Sequence, residues 1–337
     1  MGVNIKDVAD RAQVSKATVS RVINDSPTIS EKTKERVRRA MKELNYVPNS
    51  IARNFANQNT RNIALIVDID DQSAFKNPFF YEELHGIETV IYREDYCLII
   101  ANVHSMGGHR NAIDNIVLQK RADGVIIPAT IVSREIVRLL KDNDIPFVVA
   151  GEPLTCADEV NWVDINNRQG GEKAARHLLA NGYKRIAFLC GNMENKFNQN
   201  RYEGYRQALM EAGAVPDEQY VLTDGVSIED GTRLGQRLLA LPQAPDAVVC
   251  SNNVLAHGAI RAVNGAGLTI PGDVGMVGFD NYLAEFLDPP LTTVDINVFE
   301  LGVQSGSVLM RLIKSERAGN KQILISTELV ERKSSRR

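Results

Sequence analysis

The sequence predicts a small all-α head built around a helix-turn-helix, joined by a short hinge helix to a larger α/β body. Three observations carry this. Between residues 5 and 44 apolar residues recur at helical spacing between good capping residues. From Ile63 onward, short apolar runs alternate with amphipathic segments. The charge divides at the same place: residues 1–62 hold 12 Lys and Arg against 6 Asp and Glu, and the remaining 275 hold 27 against 36. A basic head on an acidic body reads as a polyanion-binding module joined to something else.

In the head, Ile5, Val8, Ala9 and Ala12 fall at i, i+3, i+4 and i+7, one face of a helix over 5–12. Gln13-Val14 is a tight break. Ser15 caps a second helix, Lys16 to Asn24, with the apolar stripe Val19, Val22 and Ile23. Its opposite face presents Lys16, Ala17, Ser20, Arg21 and Asn24. Asp25-Ser26-Pro27 ends it, and Ser30 caps a third helix running to Leu44. Two helices joined by a short turn, then a packing helix, make a helix-turn-helix, which lays its second helix in the major groove of duplex DNA. Lys16 and Arg21 can donate to guanine O6 and N7, while Ala17 and the Thr18 methyl can meet a thymine methyl. Ser15, Thr18, Ser20 and Thr33 are candidate phosphate contacts. The competing account is a plain three-helix bundle with a solvated basic face.

Asn45 to Asn49 is a helix stop and turn. Ser50 to Asn57 is about two turns of possible helix, a length marginal in water alone and therefore suited to folding on docking. Phe55 on it is a candidate apolar wedge for a minor-groove step; the alternative is a linker whose Phe packs on the body. The division is 1–47 for the head, 48–61 for the hinge and 62–337 for the body.

The body's candidate strands are Ile63–Ile69, Tyr96–Asn102, Gly124–Pro128, Phe147–Ala150, Arg185–Cys190, Ala247–Cys250 and Val274–Phe279. Amphipathic segments such as Tyr81–Arg93, Gly171–Asn181, Tyr202–Ala212 and Leu255–Gly265 lie between them. This alternation argues parallel sheets covered on both faces.

Asp7-Val8-Ala9, the run from Val14 to Asn24 (VSKATVSRVIN) and the run from Leu44 to Asn49 (LNYVPN) closely resemble the lactose-repressor (LacI/GalR) family of bacterial regulators. So do Asn77-Pro78-Phe79-Phe80, Arg201-Tyr202-Glu203-Gly204-Tyr205, Gly278-Phe279-Asp280-Asn281 and the run from Asp288 to Val294 (DPPLTTV). Single tetrapeptides are weak signals, but these blocks in the right order along the whole chain are specific. The resemblance implies two Rossmann-like lobes with chain crossovers, as in periplasmic binding proteins. It implies base reading by Lys16, Ala17 and Arg21, with Ala52 and Phe55 entering the minor groove from a hinge helix paired across a dimer. It extends the DNA-facing set to Ile5, Asn24, Tyr46 and Asn49. Two departures stand out: Gln13 where the family usually has Gly, and Phe55 where Leu is usual. The segment 70–77 is longer than the usual family loop.

Ligands of such sheets bind beyond the strand C-terminal ends. The aromatic pair Phe79 and Phe80 there can stack on a sugar ring or base, or serve as a hydrophobic staple. Glu152 follows Gly151, where many relatives carry an acidic residue. Asn166 can hydrogen-bond a ligand or cap a helix. Arg201 reads as opening a helix, where a cation opposes the macrodipole; the resemblance implies that it binds effector hydroxyls or carbonyls with its planar fork. Asn252 follows the Cys250 strand, and Asp280, after Phe279, can accept two hydroxyls. Carboxylate, amide and guanidinium around an aromatic wall suit a polyhydroxylated ligand.

The sequence holds no phosphate-binding G-x-x-x-x-G-K-[ST], no G-x-G-x-x-G after a strand, no G-x-S-x-G and no H-E-x-x-H. No catalytic residue, metal site or cofactor is therefore expected. His177 reads as structural, and Cys97, Cys190 and Cys250 read as small core residues. Widely spaced cysteines and the lack of an N-terminal apolar stretch point to the cytoplasm. The C-terminal run from Glu331 to Arg337 lacks the apolar heptads of a coiled coil, so a homodimer is expected rather than a tetramer. The expected function is a transcriptional repressor that binds a near-palindromic DNA operator, controlled by a small sugar or sugar derivative, without contact with a membrane. A solute-binding protein of similar body architecture is the alternative.

Overall fold

The computed structural model describes residues 3–46, 59–67, 78–103, 112–214, 216–223, 225–315 and 319–337. Asn49, Ala52, Phe55 and the segment 70–77 lie outside the described residues. The chain divides into two compact units, Met1–Thr60 and Arg61–Arg337.

The first unit holds α1 (Ile5–Ala12), α2 (Lys16–Ile23) and α3 (Glu31–Glu43). Asn4 and Asp7 close a reciprocal capping box on α1, satisfying two of its orphan N–H groups. Gln13 takes φ 50° and ψ 49°, the left-handed conformation that glycine adopts most readily. The turn is thus kept, at a steric cost of about 1 kcal/mol for a residue with a Cβ. Val8, Ala9, Ala12, Val19, Val22, Val37 and Ala40 form the core.

The second unit contains two sheets whose strands lead into helices that cover them. In chain order the elements are β1 (Asn62–Val67), α4 (Pro78–Ile91), β2 (Cys97–Asn102), α5 (Ala112–Leu118), β3 (Gly124–Pro128), α6 (Arg134–Asp142), β4 (Phe147–Ala150) and β5 (Trp162–Ile165). Then come α7 (Asn167–Ala180), β6 (Ile186–Leu189), α8 (Lys196–Glu211), β7 (Val221–Leu222), α9 (Ile228–Leu239), β8 (Ala247–Cys250), α10 (Asn253–Gly265) and β9 (Gly275–Phe279). The last are β10 (Thr292–Asp295), α11 (Val298–Ile313), β11 (Gln322–Ile325) and β12 (Glu328–Val330).

The sheet orders are β11-β5-β4-β3-β1-β2 and β12-β10-β9-β8-β6-β7. Pairing is parallel throughout except β10 with β12. The chain crosses between lobes three times: β5 to α7, β10 to α11, and β11 to β12. Central strands such as β3 and β8 are near-continuous apolar runs, as burial on both faces demands.

The strands that sequence periodicity did not resolve are β5, β7, β10, β11 and β12. β5 carries the buried Asp164, β10 opens with two threonines, and β7, β11 and β12 are short sheet edges with partly exposed side chains. Cys97 is a correction: it begins edge strand β2 and is exposed, because only one side of that strand has a neighbour. Cys190 and Cys250 are buried as expected.

Candidate DNA-facing helix and ligand cleft

On α2 the buried stripe is Val19 and Val22, while Lys16, Ala17, Ser20 and Arg21 are exposed on the other face. The Ser15 hydroxyl accepts from the Thr18 N–H at 3.1 Å, capping the helix that it leads into. Asn24, its C-cap, is exposed. Thr33 sits 3.0 Å from the Ser30 hydroxyl. Ile5 and Tyr46 are partly buried against the core of the head. The α2 face is a row of donors and small apolar groups with no packing duty.

In the body, the C-terminal ends of β5, β8 and β9 meet around one cation, Arg201. Its position follows from helix packing. A Cβ on Gly171 of α7 would stand 1.9 Å from the Arg201 carbonyl oxygen, and one on Gly204 of α8 would stand 1.9 Å from that of Arg168. Only glycine at these two points lets α7 and α8 approach so closely. Arg201 Nε then donates to Asn167 Oδ1 at 2.8 Å, and Nη1 donates to the Ser251 carbonyl. The guanidinium carbon lies 4.2 Å from the Phe279 ring centroid and 5.3 Å from that of Phe197. With only 6% of Arg201 exposed, burial lowers its pKa to about 10, opposed by the charges of Asp164 and Asp280. It remains a cation at neutral pH.

The two acids have different settings. Burial pushes Asp164 up to about 6, opposed by N–H donors of Glu152 and Ile165 and by Arg201. Asn167 Nδ2 stands 3.3 Å from both Asp164 oxygens, so Asp164, Asn167 and Arg201 form one polar chain across the first crossover. Burial also raises Asp280, although its Oδ1 accepts from Tyr282 N–H at 2.9 Å. Asp280 has φ 80°, an uncommon conformation for a residue with a side chain. Asn253 restrains that turn by donating to the carbonyls of Asp280 and Tyr282.

The structure brings Arg201 and Asp280 together. It corrects one premise: α8 begins at Lys196, so Arg201 stands in the second turn and does not open the helix. Its burial is offset by Asp164 and Asp280 instead. The side-chain Oδ1 atoms of Asn166 and Asn252 cap α7 and α10, accepting from Gln169 N–H at 3.0 Å and Leu255 N–H at 2.8 Å. Phe79 and Phe80, in the first turn of α4, are partly buried against the main core. Glu152 Oε2 accepts from Asn200 at 2.6 Å and Oε1 lies 3.5 Å from Lys196 Nζ. From the polar run Asp164-Ile165-Asn166-Asn167 sequence reading nominated only Asn166, and it passed over Phe197 and the Phe279 ring as site groups. Asp164 and Asn167 flank the nominated Asn166, and their signal was polarity inside an apolar strand and helix start.

His177 is structural as expected, its Nε2 2.7 Å from the Ser335 hydroxyl. Among the described residues, no three His, Cys, Asp or Glu side chains gather as a metal would require. No helix among them is long and apolar enough to cross a membrane.

Residues 60–333 match the family of periplasmic binding proteins and the sugar binding domain of the LacI family, and residues 4–49 match the bacterial regulatory proteins of the lacI family. The chain belongs to the LacI family. Among LacI-family relatives, it is 34% identical over 332 residues to the HTH-type transcriptional repressor PurR of Pectobacterium carotovorum subsp. carotovorum strain PC1, covering 98% of this chain and 96% of that one. The PurR repressor of Histophilus somni strain 129Pt is 33% identical over 334 residues, covering 98% of each chain. Among solved structures, the transcriptional regulator CelR in complex with cellobiose superimposes with a TM-score of 0.73 at 30% identity, covering 98% of this chain and 99% of that one. The lac repressor dimer bound to operator and the anti-inducer ONPF gives 0.85 at 24% identity, covering both chains completely, and supports the fold.

Proposed function

We propose that this LacI-family chain is a transcriptional repressor whose hold on a DNA operator is set by a small neutral, polyhydroxylated ligand, a sugar or sugar derivative. What supports this above all is the buried guanidinium of Arg201, held between Asp164 and Asp280 where strands of both lobes end. Such a group can bind hydroxyls bidentately, and the paired carboxylates disfavour an anionic ligand. Phe79 and Phe80 supply an aromatic wall, and Asn166, Asn252 and Glu152 supply further polar groups at the rim.

In the head, Lys16, Ala17 and Arg21 read bases. Ile5, Ser15, Thr18, Ser20, Asn24, Thr33, Tyr46 and Asn49 position the head on the backbone, and Ala52 and Phe55 enter the minor groove. The protein acts in the cytoplasm by binding and not by turnover. It works as a homodimer: Tyr282, Leu283 and Phe286 are exposed apolar residues on one lobe, and Ile100 and Leu118 on the other. Such residues are surfaces for a second copy. Dimer symmetry then sets a near-palindromic operator. A ligand that favours one arrangement of the lobes needs only about 1–3 kcal/mol of coupling to shift operator occupancy 5–150-fold.

Selection of duplexes from a random pool by the full-length protein at near-physiological salt tests this. Enrichment of a roughly palindromic site is expected. Failure to enrich any sequence, with and without cell-extract metabolites, would refute sequence-specific regulation.

A further inference from the structure

We propose that Glu152 is a positioning residue: with Asn200 and Lys196 it latches the two lobes together across the cleft. Glu152 lies between β4 and β5, both strands of the first sheet. Asn200 and Lys196 lie on α8, which packs in the other lobe, where Tyr205 stacks 5.2 Å from Phe188 of β6. The carboxylate joins them, with Oε2 to Asn200 Nδ2 at 2.6 Å and Oε1 to Lys196 Nζ at 3.5 Å.

The residue is fixed from both ends. Its own N–H faces the Asp164 carboxylate at the end of β5 and favours that acid's charged form. The preceding Gly151, at φ 97°, donates its N–H to the Val163 carbonyl at 2.7 Å. A left-handed glycine here turns the chain so that the acid that follows it reaches α8. The two contacts it makes there precede Arg201 in sequence, by one and five positions. One side chain thus sets where the lobe carrying Arg201 stands relative to Asp164.

Charge and partial burial make this bond worth more than a solvated surface pair. The Glu152 and Lys196 side chains are only 23% and 31% exposed. The latch therefore favours the closed arrangement of the lobes over an open one. A carboxylate that instead served only as a direct ligand contact would leave the spacing of the empty cleft unchanged when removed.

Spin labels at Arg138→Cys on α6 and Arg237→Cys on α9 report that spacing. They are placed in full-length protein carrying Cys97→Ser and Cys156→Ser, and labelled chain is diluted into excess unlabelled chain so that distances stay within one subunit. Without added ligand, a single short inter-lobe distance is expected. Glu152→Ala should add a second, longer distance, raising the open-to-closed ratio about tenfold, equivalent to about 1.4 kcal/mol. Asn200→Ala, which leaves the Lys196 contact, should do so in part, and Glu152→Ala with Asn200→Ala should do no more than Glu152→Ala alone. Glu152→Gln, which keeps an acceptor for Asn200, should retain most of the short distance. An unchanged distance distribution in Glu152→Ala would overturn the latch, as would additive effects in the double variant. Neither readout depends on knowing the ligand, so a wrong assignment of the ligand class leaves the test intact.

Discussion

Gly171→Ala tests the packing that builds the ligand cleft. The new Cβ would stand 1.9 Å from the Arg201 carbonyl oxygen, 2.8 Å from its carbon and 3.0 Å from the Tyr205 nitrogen. All three are main-chain atoms, so no side chain can rotate away. Relief requires α7 and α8 to separate by more than an ångström, which removes core contact along both helices. Overpacking of this kind costs about 1–3 kcal/mol. At roughly 2–4 °C per kcal/mol for a body of this size, the thermal midpoint should fall by roughly 2–12 °C. The same shift pulls Arg201 Nε from Asn167, so ligand response should weaken as well. Gly265→Ala is the control: it stands at the exposed end of α10 with nothing within 4 Å of its Cβ, and Ala there should gain about 0.5–1 kcal/mol. Differential scanning calorimetry of the full chain reads both variants. A wild-type midpoint for Gly171→Ala, or an equal loss in Gly265→Ala, would refute the close-approach reasoning.

Arg201→Ala should abolish ligand response while leaving ligand-free operator binding intact, seen by titrating the operator complex with the responsive ligand. Response at wild-type concentrations would remove Arg201 from the site. Lys16→Ala or Arg21→Ala should cost about 1–3 kcal/mol of sequence preference at fixed salt; equal losses on operator and random duplex would reduce them to phosphate contacts. His177 gives a pH signature. Burial holds its imidazole below the ordinary value of 6.5, so the unfolded chain takes up a proton that the folded one refuses. Stability should therefore fall as pH drops below about 6.5, and His177→Gln should flatten that slope in urea melts. Phe286, 75% exposed in the loop after β9, should be buried by the second copy. Phe286→Glu should yield monomers in sedimentation at concentrations where the wild type pairs.

Much of this molecule was legible in its residues, for stated reasons. The head was read almost to the residue, because its apolar stripes and the cap at Ser15 agree with its helices; Ser30 precedes the third helix as expected but makes no side-chain cap hydrogen bond. The central strands were legible because burial on both faces leaves uninterrupted runs. The edge strands were not, since β11 and β12 are half-exposed and mix polar with apolar groups. At the cleft, Arg201 and Asp280 follow from their motifs. Asp164 and Asn167 did not stand out, because neighbouring polar residues give no sign of which points inward. The role of Glu152 was least legible of all, since its partners lie 44 and 48 positions away on another lobe.

The three crossings between lobes have a consequence for synthesis. The first sheet has an edge strand at Gln322–Ile325 and the second has one at Glu328–Val330, so neither lobe is complete until residues 322–330 have left the ribosome. The last residues seal the second lobe: Ser334 and Ser335 are fully buried, hydrogen-bonded to Met276 and Thr292, and Arg332 donates to the Leu291 carbonyl and to Asn281. A chain that stops before these strands thus carries the basic head on an unfinished body. Quality control of the switch is written into the order in which its strands are made.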